Sequence, residues 1–246
     1  MKSNFSSTLV IVPARGGSKR IPNKNVRPIA GQPMIYWPLM TLSRLFSSQN
    51  VLVSTDSDTV KSLVEAKGLT VPFKRPKRLS DDFTGTGEVA THALRWFEKN
   101  VGRVDYVLIV YPTAVLLTED DLIIAMDTLS EDAKADSVIT ATNFAFPIQR
   151  AIRKNQDGYA EIIQPEHYQK RSQDLDEFMH DAGQFYLSKA DAVRKSVRLD
   201  NSSVKIHALH RSRVVDIDTF EDFHLAEERL NIYRHSYDSL DWSFSA

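Results

Sequence analysis

Short apolar runs alternate with helix-spaced stretches along this chain, and that alternation narrows the folds open to it. Leu9-Val10-Ile11-Val12 is a buried-strand signal, ended by Pro13 and the glycines behind it. Val51–Thr55, Tyr106–Val110 and Ser137–Ala141 repeat the signal. Between these runs, Met34–Phe46, Ser57–Lys67, Thr86–Lys99 and Glu119–Leu129 carry helical spacing. Gly68 supplies the left-handed stop of the second helix, and Val89, Ala93, Trp96 and Phe97 share one face of the third. Strands alternating with helices predict an α/β fold, a mostly parallel, doubly wound sheet with helices on both faces. Such folds bind ligands at the carboxyl ends of their strands.

Residues 143–182 break the rhythm. Pro147, Asn155, Asp157-Gly158 and Pro165 punctuate short strand-like pieces, Ile148–Arg153 and Ala160–Ile163, and Asn155–Gly158 suits a hairpin turn. The alternation resumes with Gln184–Leu187, Val204–Leu209 and Arg213–Ile217. A last helix is expected over Thr219–Tyr233, with a frayed tail after His235. The reading is one domain over residues 1–246, with 143–182 inserted as an arm.

Composition excludes several classes of function. Lys and Arg total 31 against 32 for Asp and Glu, a net charge of -1, which is unsuited to a broadly basic nucleic-acid binder. The absence of cysteine removes disulfides, zinc thiolates, Fe–S clusters and thiol catalysis, and fits a reducing cytoplasm. Met1–Thr8 has one charge and no long apolar run, so no signal peptide is expected. No stretch approaches the about 20 apolar residues of a membrane span.

The loop after the first strand, Pro13-Ala14-Arg15-Gly16-Gly17-Ser18-Lys19-Arg20-Ile21-Pro22-Asn23-Lys24-Asn25, is where chemistry is expected. Two adjacent glycines let bare N–H groups converge into an anion nest. Arg15, Lys19, Arg20 and Lys24 add four cations, which suits a triphosphate. The loop is neither a P-loop nor a dinucleotide fingerprint. A solvated basic turn is the bland alternative.

Asp216-Ile217-Asp218-Thr219 is the second constellation. On a strand, the two aspartates would point to one side and repel unless a cation lay between them, and Mg²⁺ shared with substrate phosphates meets that cost. Helix capping is the competing reading, and it explains Asp218 better than Asp216. The same text opens the active site of haloacid-dehalogenase-like phosphatases. There it stands on the first strand, whereas here 28 residues follow Asp218. His167 and His180 read as packing or surface residues rather than metal ligands.

The basic loop closely resembles the opening signature of the cytidylyltransferases that activate nine-carbon sialic-type sugars. Ser54-Thr55-Asp56, Arg75–Asp82 and Asp216–Thr219 follow in that family's order. Pro147–Arg150, Lys170–Leu175 and His180–Tyr186 resemble its pseudaminate branch. Tyr111-Pro112-Thr113-Ala114-Val115 departs from the Gln-Pro-Thr-Ser-Pro of sialate synthetases, and departs from the pseudaminate text at Pro112 and Val115.

The resemblance implies a Rossmann-like nucleotidyltransferase sheet with a protruding dimerisation arm, a homodimer, and a cytoplasmic reaction of CTP with a nonulosonic acid. It assigns Arg15, Lys19 and Lys24 to the triphosphate as catalytic residues. It places Ala14, Arg15, Gly16, Gly17, Ser18, Asn25 and Arg75 around CTP. Tyr111, Thr113, Gln184, Phe185 and Tyr186, with Arg171 from the partner subunit, would face the sugar. Asp216 and Asp218 would hold Mg²⁺. A CMP-sialate synthetase is the alternative enzyme, and a nucleotide-binding regulatory protein the alternative of another class.

Overall fold

A computed structural model describes residues 5–196, 203–233 and 242–244; the expected frayed tail after His235 lies mostly outside them. In chain order the elements are β1 (Thr8–Pro13), β2 (Pro28–Ile29), β3 (Gln32–Pro33), α1 (Tyr36–Leu45), β4 (Val51–Ser54), α2 (Asp58–Glu65) and α3 (Thr86–Asn100). There follow β5 (Tyr106–Val110), α4 (Glu119–Glu131), β6 (Ser137–Asn143), β7 (Ile152–Lys154), β8 (Ala160–Ile162) and α5 (Pro165–Tyr168). The chain ends with β9 (Met179–Lys189), α6 (Ala190–Arg194), β10 (Val204–Ala208) and α7 (Phe220–Tyr233).

Six strands form one sheet in the order β10-β6-β9-β5-β1-β4. β1 runs parallel to β4 and β5, and β10 parallel to β6, while β9 is antiparallel to both of its neighbours. The apolar run of β1 is continuous because both faces of this central strand are covered. Val10 and Val12 pack among residues of α1, α2 and α4, including Leu39, Val60 and Leu122. Leu9 and Ile11 pack on the opposite face against Ala90, Leu94 and Phe97 of α3. A third cluster joins Trp37 and Met40 of α1 to Val215, Ile217 and the buried side of α7.

Two expected strands differ from the observed chain. Ile148–Arg153 begins as a 3-10 turn, Ile148–Arg150, before β7 starts. Arg213–Ile217 is not a strand: a 3-10 turn, Arg211–Arg213, leads into extended chain outside the sheet. Val215 and Ile217 alternate as strand residues would, but they bury themselves against α7 and Trp37 instead. The hairpin at Asn155–Gly158 is present. It joins β7 to β8, whose six residues are all exposed. Among the described residues no helix is long and apolar enough to cross a membrane.

Candidate active site

The loop after β1 is held by backbone and side-chain contacts. Ala14 is buried, and its N–H donates to Ser54 O at 2.9 Å, extending the β1–β4 ladder by one residue. Gly16 N donates to Asp56 Oδ1 at 2.9 Å, and a Cβ on Gly16 would stand 3.0 Å from Ser57 Cβ, so any side chain there would press on Ser57. A Cβ on Gly17 would meet nothing within 4 Å, so packing does not dictate that glycine. Buried Asn25 donates from Nδ2 to Arg15 O at 2.9 Å and pins the two ends of the loop together.

Each cation of the loop has an acidic partner brought from elsewhere. Arg15 Nη1 donates to Asp82 Oδ1 and to Asp81 O, both at 2.7 Å. Lys19 Nζ reaches Asp82 Oδ2 at 2.5 Å. Arg20 Nη2 lies 2.8 Å from Asp218 Oδ2, and Lys24 Nζ 3.3 Å from Asp218 Oδ1. Lys24 also donates to Ile217 O at 2.5 Å, which ties the basic loop to the acidic segment. Two carboxylates thus each bridge two cations, an arrangement that phosphate oxygens can replace.

Arg75 is 5% exposed. Its Nε donates to Ser54 Oγ at 3.0 Å, and its Nη2 donates to Ser54 O. Burial pushes its pKa down to about 10, with Asp56 opposing that and Arg15 adding to it. Burial, and then the neighbouring Asp218, raise the Asp216 carboxyl above the ordinary carboxylate range.

These groups converge on a cavity of about 530 Å³ at the carboxyl ends of β1 and β5. Of the residues expected at a site, Arg15, Ser18, Lys24, Asn25, Arg75, Tyr111, Thr113, Tyr186, Asp216 and Asp218 line it. On its wall Thr86 Oγ1 and Tyr111 OH share a 2.7 Å hydrogen bond, and Tyr186 OH donates to Asp181 Oδ2 at 2.5 Å. The two tyrosine rings meet edge to face, 5.8 Å between centroids. Burial, and then its bond to Asp181, push the Tyr186 hydroxyl far above its ordinary pKa, so it acts as a donor.

The remaining expected residues lie elsewhere. Ala14, Gly16 and Gly17 shape the loop without lining the cavity, and Lys19 is held at its outer edge by Asp82. Phe185 is fully buried in the core opposite Tyr186, because successive residues of a strand point to opposite faces. Gln184 is also buried, and its Nε2 donates to Ala182 O at 3.1 Å. Neither side chain is placed to touch a ligand in the cavity. Arg171 is exposed on the arm and pairs with Asp174 at 2.8 Å. Asp82 and Thr86 are site residues that sequence reasoning did not single out, and Asp181 enters the site beside His180. For Asp82 the available signal is charge balance, since four cations on one loop need counter-charges; Asp181 pairs with the Tyr186 hydroxyl instead.

Among the described residues no three His, Asp or Glu side chains cluster to hold a metal ion. Asp216 and Asp218 offer two hard-oxygen donors, and the repulsion that raises Asp216 is what a cation would relieve. Mg²⁺ is commonly held by one or two carboxylates plus phosphate oxygens, so the pair fits Mg²⁺ once a triphosphate is present.

A sequence profile of the family described as Cytidylyltransferase matches residues 9–236. The chain is 33% identical over 219 residues to the pseudaminic acid cytidylyltransferase of Campylobacter jejuni, covering 89% of this chain and 94% of that one. It is 25% identical over 231 residues to the CMP-N,N'-diacetyllegionaminic acid synthase of Legionella pneumophila, covering 91% and 96%. Among solved structures, a CMP:2-keto-3-deoxy-manno-octonic acid synthetase complexed with CTP superposes with a TM-score of 0.65 at 18% identity, covering 94% of this chain and 100% of that one. That last likeness concerns the fold alone.

Proposed function

This chain belongs to the cytidylyltransferase family, and from that premise we propose that it couples CTP to a nonulosonic acid, with pseudaminic acid preferred. The products are the CMP-sugar and pyrophosphate. The observation that carries this reading is the convergence of basic loop, acidic pair and tyrosine wall on one cavity.

Transfer to the α-phosphate asks the protein for position and charge more than for covalent work. Arg15 and Lys19 exchange Asp82 for phosphate oxygens, and Lys24 holds the acidic segment against the triphosphate. Asn25 and buried Arg75 shape the nucleotide end. Tyr111, Thr113 and Tyr186 face the sugar, whose anomeric oxygen attacks the α-phosphate as pyrophosphate leaves. Asp216 and Asp218 would hold Mg²⁺, which when bound supplies charge compensation at the phosphate oxygens.

The preference for pseudaminate rests on the similarity to the Campylobacter jejuni enzyme and on Tyr111 and Tyr186 in the wall. Pro112-Thr113 keeps the Pro-Thr of sialate synthetases, so a sialic-type sugar is the second reading.

We further propose a cytoplasmic homodimer whose arm, residues 143–182, reaches a second copy. Phe146 is 82% exposed, Tyr159 73% and Ile152 61%, which is apolar surface in need of a partner. A two-stranded hairpin such as β7–β8 is only marginally stable alone.

Pyrophosphate release from CTP with a panel of nonulosonates tests the function. Turnover with none of them overturns the proposal. Comparable kcat/KM for pseudaminic and N-acetylneuraminic acid overturns the preference.

A further inference from the structure

A second cavity, of about 820 Å³, lies beside the first on the α3 and α6 face of the sheet. The two share Leu79, Thr86, Tyr111 and Tyr186, so the tyrosine pair stands between them as a common wall. Their chemistry differs. The first is lined mainly by charges, whereas the second has a floor of Ile109, Ala90, Ala192 and Val193 with hydroxyls set among them, and Glu88 and His92 of α3 on its side. Two of those hydroxyls, on Ser137 and Ser188, bond each other at 2.9 Å. Exposed Arg78 and Arg95 stand at its margin.

A sugar seated against Tyr111 and Tyr186, as proposed above, has the second cavity on the far side of those two rings. The charged side of that wall is taken up by phosphates and carboxylates. The floor of the other side offers aliphatic carbon and a few hydroxyls, with the ionisable side chains of α3 and Arg78 around it, which suits a methyl group and the acyl methyl of an amide on the floor better than a chain of free hydroxyls. We infer that the cavity between α3 and α6 receives the methyl- and acylamino-bearing end of the acidic sugar and selects for it. This rests on the nonulosonate reading above and adds to it a place for the distal end of the substrate. Thr91 on α3 and Ala192 on α6 are the positions from which the space can be closed without touching the charged cavity.

The test is steady-state kinetics of Ala192→Trp and of Thr91→Trp, with pseudaminic acid and CTP varied separately and melting temperature and oligomeric state recorded. The expected result is a KM for pseudaminic acid raised about 10-fold or more, as when a fitted pocket loses room for a substituent, with the KM for CTP within about twofold. A pseudaminic acid KM that does not move in folded variants overturns the inference while leaving the function intact. Variants that lose activity by becoming monomeric also overturn it, because the cavity then seats a second copy of the chain. A wild-type protein that turns over no nonulosonate sinks the functional reading itself. Should both variants fail to fold, pseudaminic acid with one N-acyl group lengthened by two methylenes is tried on the wild type. Retained kcat/KM, within about threefold, supports spare apolar room there, and a loss beyond about 100-fold overturns it.

Discussion

The Asp82 carboxylate stands 2.7 Å from the Arg15 guanidinium, and its other oxygen takes Lys19 at 2.5 Å. A carboxylate in that position does for the free protein what phosphate oxygens would do for the complex. It keeps two like charges close together and the loop folded over the cavity. On the proposed function, CTP would displace this carboxylate, and part of the loop's attraction for it would already be committed.

Asp82→Asn removes that competitor. Both partners are about one-third exposed, so the ion pair is screened and the gain is modest. The KM for CTP should fall roughly two- to fivefold at low salt, and the difference should shrink as salt is added. An unchanged or raised KM for CTP would show that Asp82 assists the triphosphate rather than competing with it.

Asp216→Asn should separate stability from activity. The Asp216 carboxyl is raised by burial and by Asp218, so its charge is a cost that the ligand-free protein carries. Turnover should drop about 100-fold, the scale of losing one preorganised electrostatic contact. The ligand-free variant should melt higher than wild type at pH 7, because the repulsion is gone. Full activity in magnesium would remove Asp216 from the proposed metal pair.

Arg75→Lys keeps the charge but loses the fork that spans Ser54. One ammonium cannot occupy both directions, and a polar group of Ser54 is left unpaired in a buried setting. A loss of about 1–3 kcal/mol is expected, read as a lower urea midpoint at unchanged m-value. A midpoint equal to wild type would mean that the fork contributes nothing to the fold.

Asp121 carries the pH prediction. Burial alone would raise its carboxyl, but hydrogen bonds from His207, Arg213 and Thr118 outweigh it and hold the group well below the ordinary range. A carboxyl depressed in the folded state stabilises fully above the unfolded pKa of about 4 and loses that stabilisation as pH falls through the folded value. Wild-type stability should therefore decline below about pH 4 more steeply than that of Asp121→Asn. At pH 7 the variant should be less stable by about 2–3 kcal/mol, since Arg213 loses its carboxylate but keeps some water. Parallel acid profiles for the two proteins would refute the assignment.

The trans role of Arg171 is tested by complementation. Protomers carrying Asp216→Ala and Arg171→Ala, each nearly inactive alone, are mixed. If Arg171 serves its partner, one site of a mixed dimer carries both lesions and the other neither, so activity partly returns. Mixed dimers that form and stay inactive confine Arg171 to its own subunit.

Core strands and helices are legible in the chain because burial on two faces writes itself as unbroken apolar runs. Leu9–Val12 is the plainest case. Pro38 does not break α1 because it is the third residue of that helix, where backbone N–H groups have no partner to lose. The direction of β9 is not legible, since an apolar run looks the same whichever way it is paired. Val215 and Ile217 imitate a strand because an extended chain pressed against a helix also alternates. In the site, the basic loop announces itself by following a buried strand. Its counter-charge Asp82 is 67 residues away, and only the folded chain brings the two together. The resemblance expects Phe185 beside the sugar, and the alternation of β9 turns it inward.

The reversed strand has a consequence for how such a chain can change over generations. β6 ends at Asn143 and β9 begins at Met179, and these two residues face each other on the same rung of the antiparallel ladder. The whole excursion between them therefore leaves and rejoins the sheet across a gap of about 5 Å, the distance a tight turn already spans. Lengthening, trimming or exchanging it changes loop-closure entropy only by a logarithm of its length. The sheet that carries the basic loop and the acidic segment need not move at all. The excursion can thus be rewritten separately from the site that the sheet carries.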